Sequence, residues 1–264
     1  MIACGHHELD IASENEVESL FESTAFDLVV NCAAYTAVDK AETEEKQAYA
    51  VNALGAKNLA LCCKKYDRPL IHISTDYVYD NGRSRVHTED EPVNTRCVYG
   101  KTKLFGEKFI SDSKCRYVIL RASWIFGRYG KNFVKAMLNL ASTRDALKVV
   151  SDELGNPTPA RALAYDICAI IEQMLKPDFD QYGIYNYCGK DEIVRCDFAV
   201  EILRIARSIG LLDHDVQVGK ITSEEFGAPA KRPSDSRMST DKFEKAFSLK
   251  APRWADYIEE TLRG

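Results

Sequence analysis

Tyr99 and Lys103 stand four residues apart in a stretch that reads as helix, so both project from one helical face. A tyrosine phenol has a pKa of about 10 and exchanges protons poorly at neutral pH. A fixed ammonium beside it stabilises the phenolate and lowers that value. Upstream, Ser74-Thr75-Asp76-Tyr77 closes an apolar run and sets a hydroxyl pair at its end. Thr75 can donate to a substrate oxygen while Tyr99 gives that oxygen a proton, and Lys103 can hold a ribose hydroxyl of a cofactor. Donors fixed in this way stabilise developing alkoxide charge, the chemistry of a carbonyl under reduction. The bland alternative is a surface tyrosine with Lys103 paired to Glu107 one turn on. A strand-end hydroxyl pair and a long loop ahead of the helix favour the chemical reading.

The elements that must position these groups follow from hydrophobic patterning. Residues 70–75 and 117–122 are continuous apolar runs with a helical segment, 99–111, between them. Residues 27–34 form a third such run, followed by a helix at 42–66. Continuous rather than alternating apolar character predicts parallel strands covered on both faces. Strand, helix, strand, helix, strand predicts a doubly wound α/β sheet. Residues 1–4 are expected as a short strand, and Ser13 as the cap of an acidic helix over 14–23. Gly55 costs helix propensity and is expected to permit a close approach. Asp80-Asn81-Gly82 marks a turn that opens the long loop. Beyond Trp124 the pattern predicts helices at 133–142, 161–175, 197–209, 241–247 and 253–262, with strands at 146–151, 182–188 and 216–221. The expected division is a cofactor-binding domain over 1–126, to which 157–188 returns, and a mainly substrate-binding lobe over 127–264.

Composition narrows the partners. Of 264 residues, 45% are hydrophobic and 28% charged, an ordinary soluble balance, and the net charge of −5 disfavours nucleic acid or an anionic membrane as partner. No apolar run approaches the roughly 20 residues that span a bilayer, and no basic flank with an apolar stretch marks a signal peptide. Nine cysteines, an odd number with no Cys-x-x-Cys pair, are expected as buried free thiols of a cytoplasmic protein. No metal site is assigned.

The motifs HELDI at 7–11, VNCAAYTAVDKAE at 30–42, HISTDYVYD at 72–80, VYGKTKLFGEK at 98–108, LRASWIFGRYGKNF at 120–133, GNPT at 155–158 and KRPSDS at 231–236 run through nearly the whole chain. Together they resemble the dTDP-4-dehydrorhamnose reductase family (RmlD-like), extended members of the short-chain dehydrogenase/reductase superfamily. The resemblance implies a Rossmann-like fold and reduction of dTDP-4-dehydro-L-rhamnose to dTDP-L-rhamnose by hydride from NADPH or NADH. It implies Thr75, Tyr99 and Lys103 as catalytic residues. Ala33, Ala34, Tyr35 and Asn52, with Tyr99 and Lys103, would bind the cofactor. Asp76, Tyr77, Trp124, Asn132 and Arg232 would face the substrate, Arg232 through the planar fork that suits a diphosphate. A homodimer and a magnesium ion also occur in the family, with no carboxylate cluster here to assign to the ion. Without the family, Trp124 reads equally as a core aromatic, Arg232 as a surface residue, Asp39-Lys40 as a local ion pair, Asp76 as a turn cap and Ala33-Ala34 as a tight packing point.

A dinucleotide-binding sheet normally opens with a strand, a glycine-rich turn and a helix that meets the pyrophosphate. Among fourteen glycines here, no two are separated by a single residue. The resemblance begins at His7, at the end of the family's second strand. The expectation is an N-terminally truncated sheet lacking that glycine-rich βα unit. Two other activities fit the scaffold: a non-catalytic regulatory or binding protein resembling the regulatory subunit of methionine adenosyltransferase, and a nucleotide-sugar epimerase.

Overall fold

A computed structural model describes every residue except Asn81 and Arg83. Residues 1–4 are exposed and irregular rather than the expected strand, because no neighbouring strand pairs with them. The first element, α1 (Glu14–Ser23), is capped by Ser13, whose hydroxyl accepts from Glu16 N at 3.4 Å. Strand β1 (Val29–Asn31) follows, then α2 (Val38–Ala41) and α3 (Glu45–Tyr49). A π-helical segment over Ala50–Gly55 joins α3 to α4 (Ala56–Lys65). Next come β2 (Leu70–Thr75), a 3₁₀ turn at Asp76–Val78, α5 (Val98–Ser113) and β3 (Tyr117–Ala122). The turn expected at Asp80-Asn81-Gly82 includes Asn81, which lies outside the described residues.

The later chain forms β4 (Ile125–Phe126), α6 (Phe133–Ala141), β5 (Ala146–Val150), β6 (Leu154–Gly155), β7 (Thr158–Pro159) and α7 (Ala160–Met174). It closes with β8 (Gly183–Tyr187), β9 (Ile193–Val194), α8 (Arg195–Ser208), β10 (Gln217–Ile221), α9 (Ser223–Phe226), α10 (Asp241–Phe247) and α11 (Ile258–Leu262).

The main sheet is parallel, in the order β1-β2-β3-β8. Strand residues alternate between its faces. Leu70 and Ile119 join Val17, Leu59, Cys63 and Ile110 on the side of α1, α4 and α5. Ile71, Val118 and Leu120 join Leu163, Ile170 and Phe243 on the side of α7 and α10. Covering both faces makes the strands continuously apolar, as the sequence pattern requires. A separate core under α6, α8 and α11 gathers Phe126, Val134, Phe198, Ile202 and Ile258. Its small sheet pairs β5 with β10 in parallel.

Strand β1 is shorter than the expected 27–34, because it takes ladder bonds only from β2 and lies at the sheet edge. The helix expected at 42–66 is broken into segments. Its π turn moves the Asn52 carbonyl outward against Gly106 of α5, where an added Cβ would stand 2.3 Å from that oxygen. Gly55 serves the expected close approach: a Cβ there would meet Ile11 at 2.6 Å. The cysteines are all free, but Cys4, Cys32 and Cys168 are exposed, the last because its position on α7 faces away from the core.

Gly106→Ala should cost about 1–3 kcal/mol, since it needs a backbone shift between the Ala50–Gly55 π segment and α5. Gly219→Ala, whose nearest neighbour would be 3.6 Å away, should change stability by about 0.5 kcal/mol or less. Urea midpoints of the two variants measure the contrast.

Candidate active site

The site forms where β1 and β2 end and α5 begins. Helix α5 starts at Cys97, whose sulfur accepts from Gly100 N at 3.4 Å. This start places Tyr99 in the first turn and Lys103 in the second, above the end of β2. Gly100 is needed there, because a Cβ would stand 2.1 Å from the Thr95 hydroxyl.

The anchor of α5 is a buried ion pair. Glu107 receives Arg121 of β3 through Nε at 3.0 Å and Nη2 at 2.6 Å, and Ser74 of β2 at 2.5 Å. Arg121 also donates to the Tyr79 hydroxyl at 2.7 Å, and that hydroxyl donates to Asn186 of β8 at 2.8 Å. Glu107 is therefore occupied by Arg121, not by Lys103. Ser74 of the hydroxyl pair serves this anchor, which leaves Thr75 facing the site.

Thr75 accepts from Tyr77 N at 3.2 Å and donates to Asp76 Oδ1 at 3.1 Å. Asp76 is buried, and its Oδ2 has no hydrogen-bond partner. Burial raises its pKa from the ordinary 3.8 to about 6, with the Ser236 and Thr75 hydroxyls offsetting part of the rise. The Tyr77 ring meets the Tyr99 ring edge-on, with centroids 5.3 Å apart. Tyr99 and Tyr35 pack against the buried cluster of Ala41, Ala48 and Val98. Burial pushes its phenol up to about 12, while the Thr75 hydroxyl pulls the other way. The expected lowering by an ammonium does not occur. Lys103 reaches down to β2 instead, donating to Ile73 O at 2.5 Å and approaching His72 Nε2 at 3.3 Å. Burial brings Lys103 itself down to about 8, against the opposing charge of Glu107.

Asn52 ties the loop after β1 to α5. Its Oδ1 accepts from Tyr35 N at 2.8 Å, and its Nδ2 donates to Tyr35 O and to the Thr102 hydroxyl. Ala33 is exposed and Ala34 half-buried at the end of β1. Trp124 adopts φ 44°, a strained value for a tryptophan, and is held between Gly155 and the Arg195 guanidinium, 3.8 Å from its ring centre. Arg195 is bound in turn by Glu153. Arg232 pairs with Asp39 of α2 at 2.8 Å, so Asp39 is matched across the chain rather than with Lys40. Asn132 caps α6, accepting from Lys135 N at 3.2 Å and donating to Gly127 O at 2.7 Å. Among the described residues no three His, Cys, Asp or Glu gather to hold a metal, and no helix is long and apolar enough to cross a membrane. A hollow of ≈ 640 Å³ between α8 and β10 is lined by none of these groups.

The reading of the sequence missed Asn31, His72, Glu153 and Arg195. A signal existed for the first two: each is the polar residue inside an apolar strand, and β1 pairs with β2 so that Asn31 falls beside His72.

A parallel, two-face-covered sheet with Thr75 at a strand end and Tyr99 and Lys103 on the helix that follows defines an SDR-like Rossmann protein. The family model for the RmlD substrate binding domain matches residues 1–264, and the chain belongs to that family. It is 37% identical over 254 residues to a dTDP-4-dehydrorhamnose reductase of Aggregatibacter actinomycetemcomitans, covering 96% of this chain and 86% of the relative. A dTDP-4-dehydrorhamnose reductase from Clostridium acetobutylicum superposes with a TM-score of 0.91 at 38% identity, over 99% of this chain and 89% of that one. A Bacillus anthracis dTDP-4-dehydrorhamnose reductase, solved in complex with NADP, gives 0.90 at 32% identity, over 98% and 88%.

Removing Glu107 leaves Arg121 buried and unmatched, so Glu107→Ala should cost about 3–5 kcal/mol, while Glu107→Leu with Arg121→Met should recover much of it. A second measurement follows pH. Asp76 has a folded pKa above its unfolded value, so folding favours its protonated form. Stability from this group is present below about pH 4 and is lost as pH rises towards about 6. The loss is about 3 kcal/mol at neutral pH. Asp76→Asn should therefore raise the denaturation midpoint at pH 7 and leave it nearly unchanged at pH 3.5.

Proposed function

We propose that this chain acts as a dTDP-4-dehydrorhamnose reductase, with Thr75, Tyr99 and Lys103 carrying the reaction. The observation that carries the reading is the meeting of Thr75, at the end of β2, with the Tyr99 phenol of α5. Tyr99, pushed up to about 12, keeps its proton at neutral pH and yields it only to a stronger base, such as the alkoxide formed on reduction. As the C4 carbonyl of the sugar becomes an alkoxide, Thr75 donates a hydrogen bond to that oxygen and Tyr99 delivers the proton. The nicotinamide, when bound, supplies the hydride. Asp76 Oδ2, buried and without a partner, suits a sugar hydroxyl, and Tyr77 and the Trp124–Arg195 stack wall the same side. Arg232 suits the diphosphate and reaches it by exchanging or sharing its Asp39 partner.

The chain's residues fit the nicotinamide-ribose end of the cofactor. Ala33 and Ala34 leave space at the end of β1, Asn52 fixes Tyr35 beside them, and Tyr99 and Lys103 would hold the ribose. No glycine turn among these residues cradles the pyrophosphate. In this reading the main sheet would hold the cofactor and the region of α6, α8 and β10 the sugar. Nine free cysteines accord with a cytoplasmic setting.

The test is NADPH oxidation with dTDP-4-dehydro-L-rhamnose, by the chain fused behind the family's glycine-rich opening segment. Tyr99→Phe should lower kcat by about 10²–10⁴ while substrate binding changes little. Absence of turnover in the fused protein with intact Tyr99 would sink the reductase reading in favour of a binding protein.

A further inference from the structure

We propose that Arg195 is a diphosphate-binding residue: held by Glu153 and stacked on Trp124, it offers its two terminal nitrogens to the substrate's phosphates from the flank opposite Arg232. The identity of the ligand rests on the reductase reading; an anion subsite at Arg195 does not.

Strand β6 sets the placement of both arginines. On one side it pairs antiparallel with β9, so that Leu154 meets Val194 and Glu153 O accepts from Arg195 N at 3.0 Å. On its other side it takes the chain that follows Arg232. There Leu154 N donates to Ser234 O at 2.8 Å, and Ser236 N donates to Leu154 O at 2.9 Å. The chains carrying Arg195 and Arg232 thus flank one strand, about 10 Å apart across two strand spacings. Both charges reach the Tyr77 phenol, and that of Arg195 also reaches the Asp76 carboxyl. Gly155 links these groups to Trp124: a Cβ there would stand 2.8 Å from the Ser236 hydroxyl and 2.7 Å from the indole.

The two arginines differ in the donors they have left. Arg232 donates from Nη2 to Asp39 at 2.8 Å and from Nη1 to Ala230 O at 3.3 Å. Among the described residues, the Arg195 side chain donates only through Nε, to Glu153. A pair built solely to tie β6 to β9 would set a second nitrogen of the fork against the carboxylate. Here the guanidinium lies 3.8 Å from the Trp124 ring centre instead. Stacking occupies the face of a guanidinium and leaves its N–H bonds, which lie in its plane, unspent. Nη1 and Nη2 are thus a fork held at one end by Glu153, itself 4% exposed, while the Arg195 side chain is 18% exposed and open to a ligand. A planar fork matches two phosphate oxygens. The substrate carries its negative charge on the diphosphate alone, so Arg195 takes that group without giving up a partner, and Arg232 closes on it from the other flank.

Binding and turnover test this separately. Calorimetric titration of the chain with dTDP, which has the diphosphate but no sugar, reads the subsite directly. Arg195→Gln combined with Glu153→Gln removes both charges and leaves no ion buried alone. It should weaken dTDP about 10–100-fold. Arg195→Lys keeps the ion pair but not the fork and should weaken dTDP about 3–10-fold, which decides the matter should the double variant fail to fold. Unchanged dTDP affinity in a folded variant, or no dTDP binding by the unaltered chain, overturns the proposal. So does a loss confined to dTDP-L-rhamnose, which would assign Arg195 to the sugar. In the NADPH assay of the fused protein, the double variant should raise KM for the nucleotide sugar about 10-fold or more, with kcat changed less than about 3-fold and KM for NADPH unmoved. A fall in kcat alone overturns the binding role. If no form turns over, the reductase reading fails while the dTDP titration still decides the subsite.

Discussion

The Glu107–Arg121 ion pair is the contact on which the rest of the site depends. It is buried on both sides and ties α5 to β3 directly and to β2 through Ser74. A charge pair of this kind gains little over a well-packed apolar contact, because both ions lose their water. What it supplies is direction. The planar guanidinium fixes the rotation of α5 about its axis, and that rotation decides where Tyr99 and Lys103 point. Two turns of helix separate the pair from Tyr99, so an error at the anchor is carried to the reacting group.

A second constraint sits on the opposite flank of α5. The π turn at Ala50–Gly55 brings the Asn52 backbone against Gly106 and turns the Asn52 side chain towards Tyr35 and Thr102. One residue thus holds the loop after β1, the site helix and the helix beneath it. The groups gathered between these two constraints all depart from their solution behaviour in the direction burial dictates. Asp76 and Tyr99 are raised and Lys103 is lowered, each towards its neutral form. Tyr99 accordingly holds its proton at neutral pH, while Asp76 and Lys103 are brought close enough to neutrality to change protonation within a unit or so of it.

Much of the fold was legible in the sequence. Strands β2 and β3 begin and end where their apolar runs do, because both have neighbours on either side and helices on both faces. Strand β1 was overcalled by its apolar flank, since its length is set by one-sided pairing and by the departure of Tyr35 towards Asn52. The π turn left no mark in the helical pattern, as its cause is the approach of Gly106, about fifty residues on. The partners of Asp39 and Arg232, 193 residues apart, could not be read from local spacing, which pointed to Lys40 instead.

By itself, the sequence determined the doubly wound class, the positions of Thr75, Tyr99 and Lys103, and the kinship with the RmlD family, because these lie in periodicity, spacing and contiguous motifs. The tertiary structure alone decided which groups are charged and what each one faces. It turned Lys103 to Ile73 and His72, committed Glu107 to Arg121 and Ser74, set Asn132 at the cap of α6 and left Asp76 with an unpartnered oxygen. The physical reason is that protonation and partner choice follow from burial and from distances of about 3 Å between residues far apart in the chain, and neither is a property of local sequence.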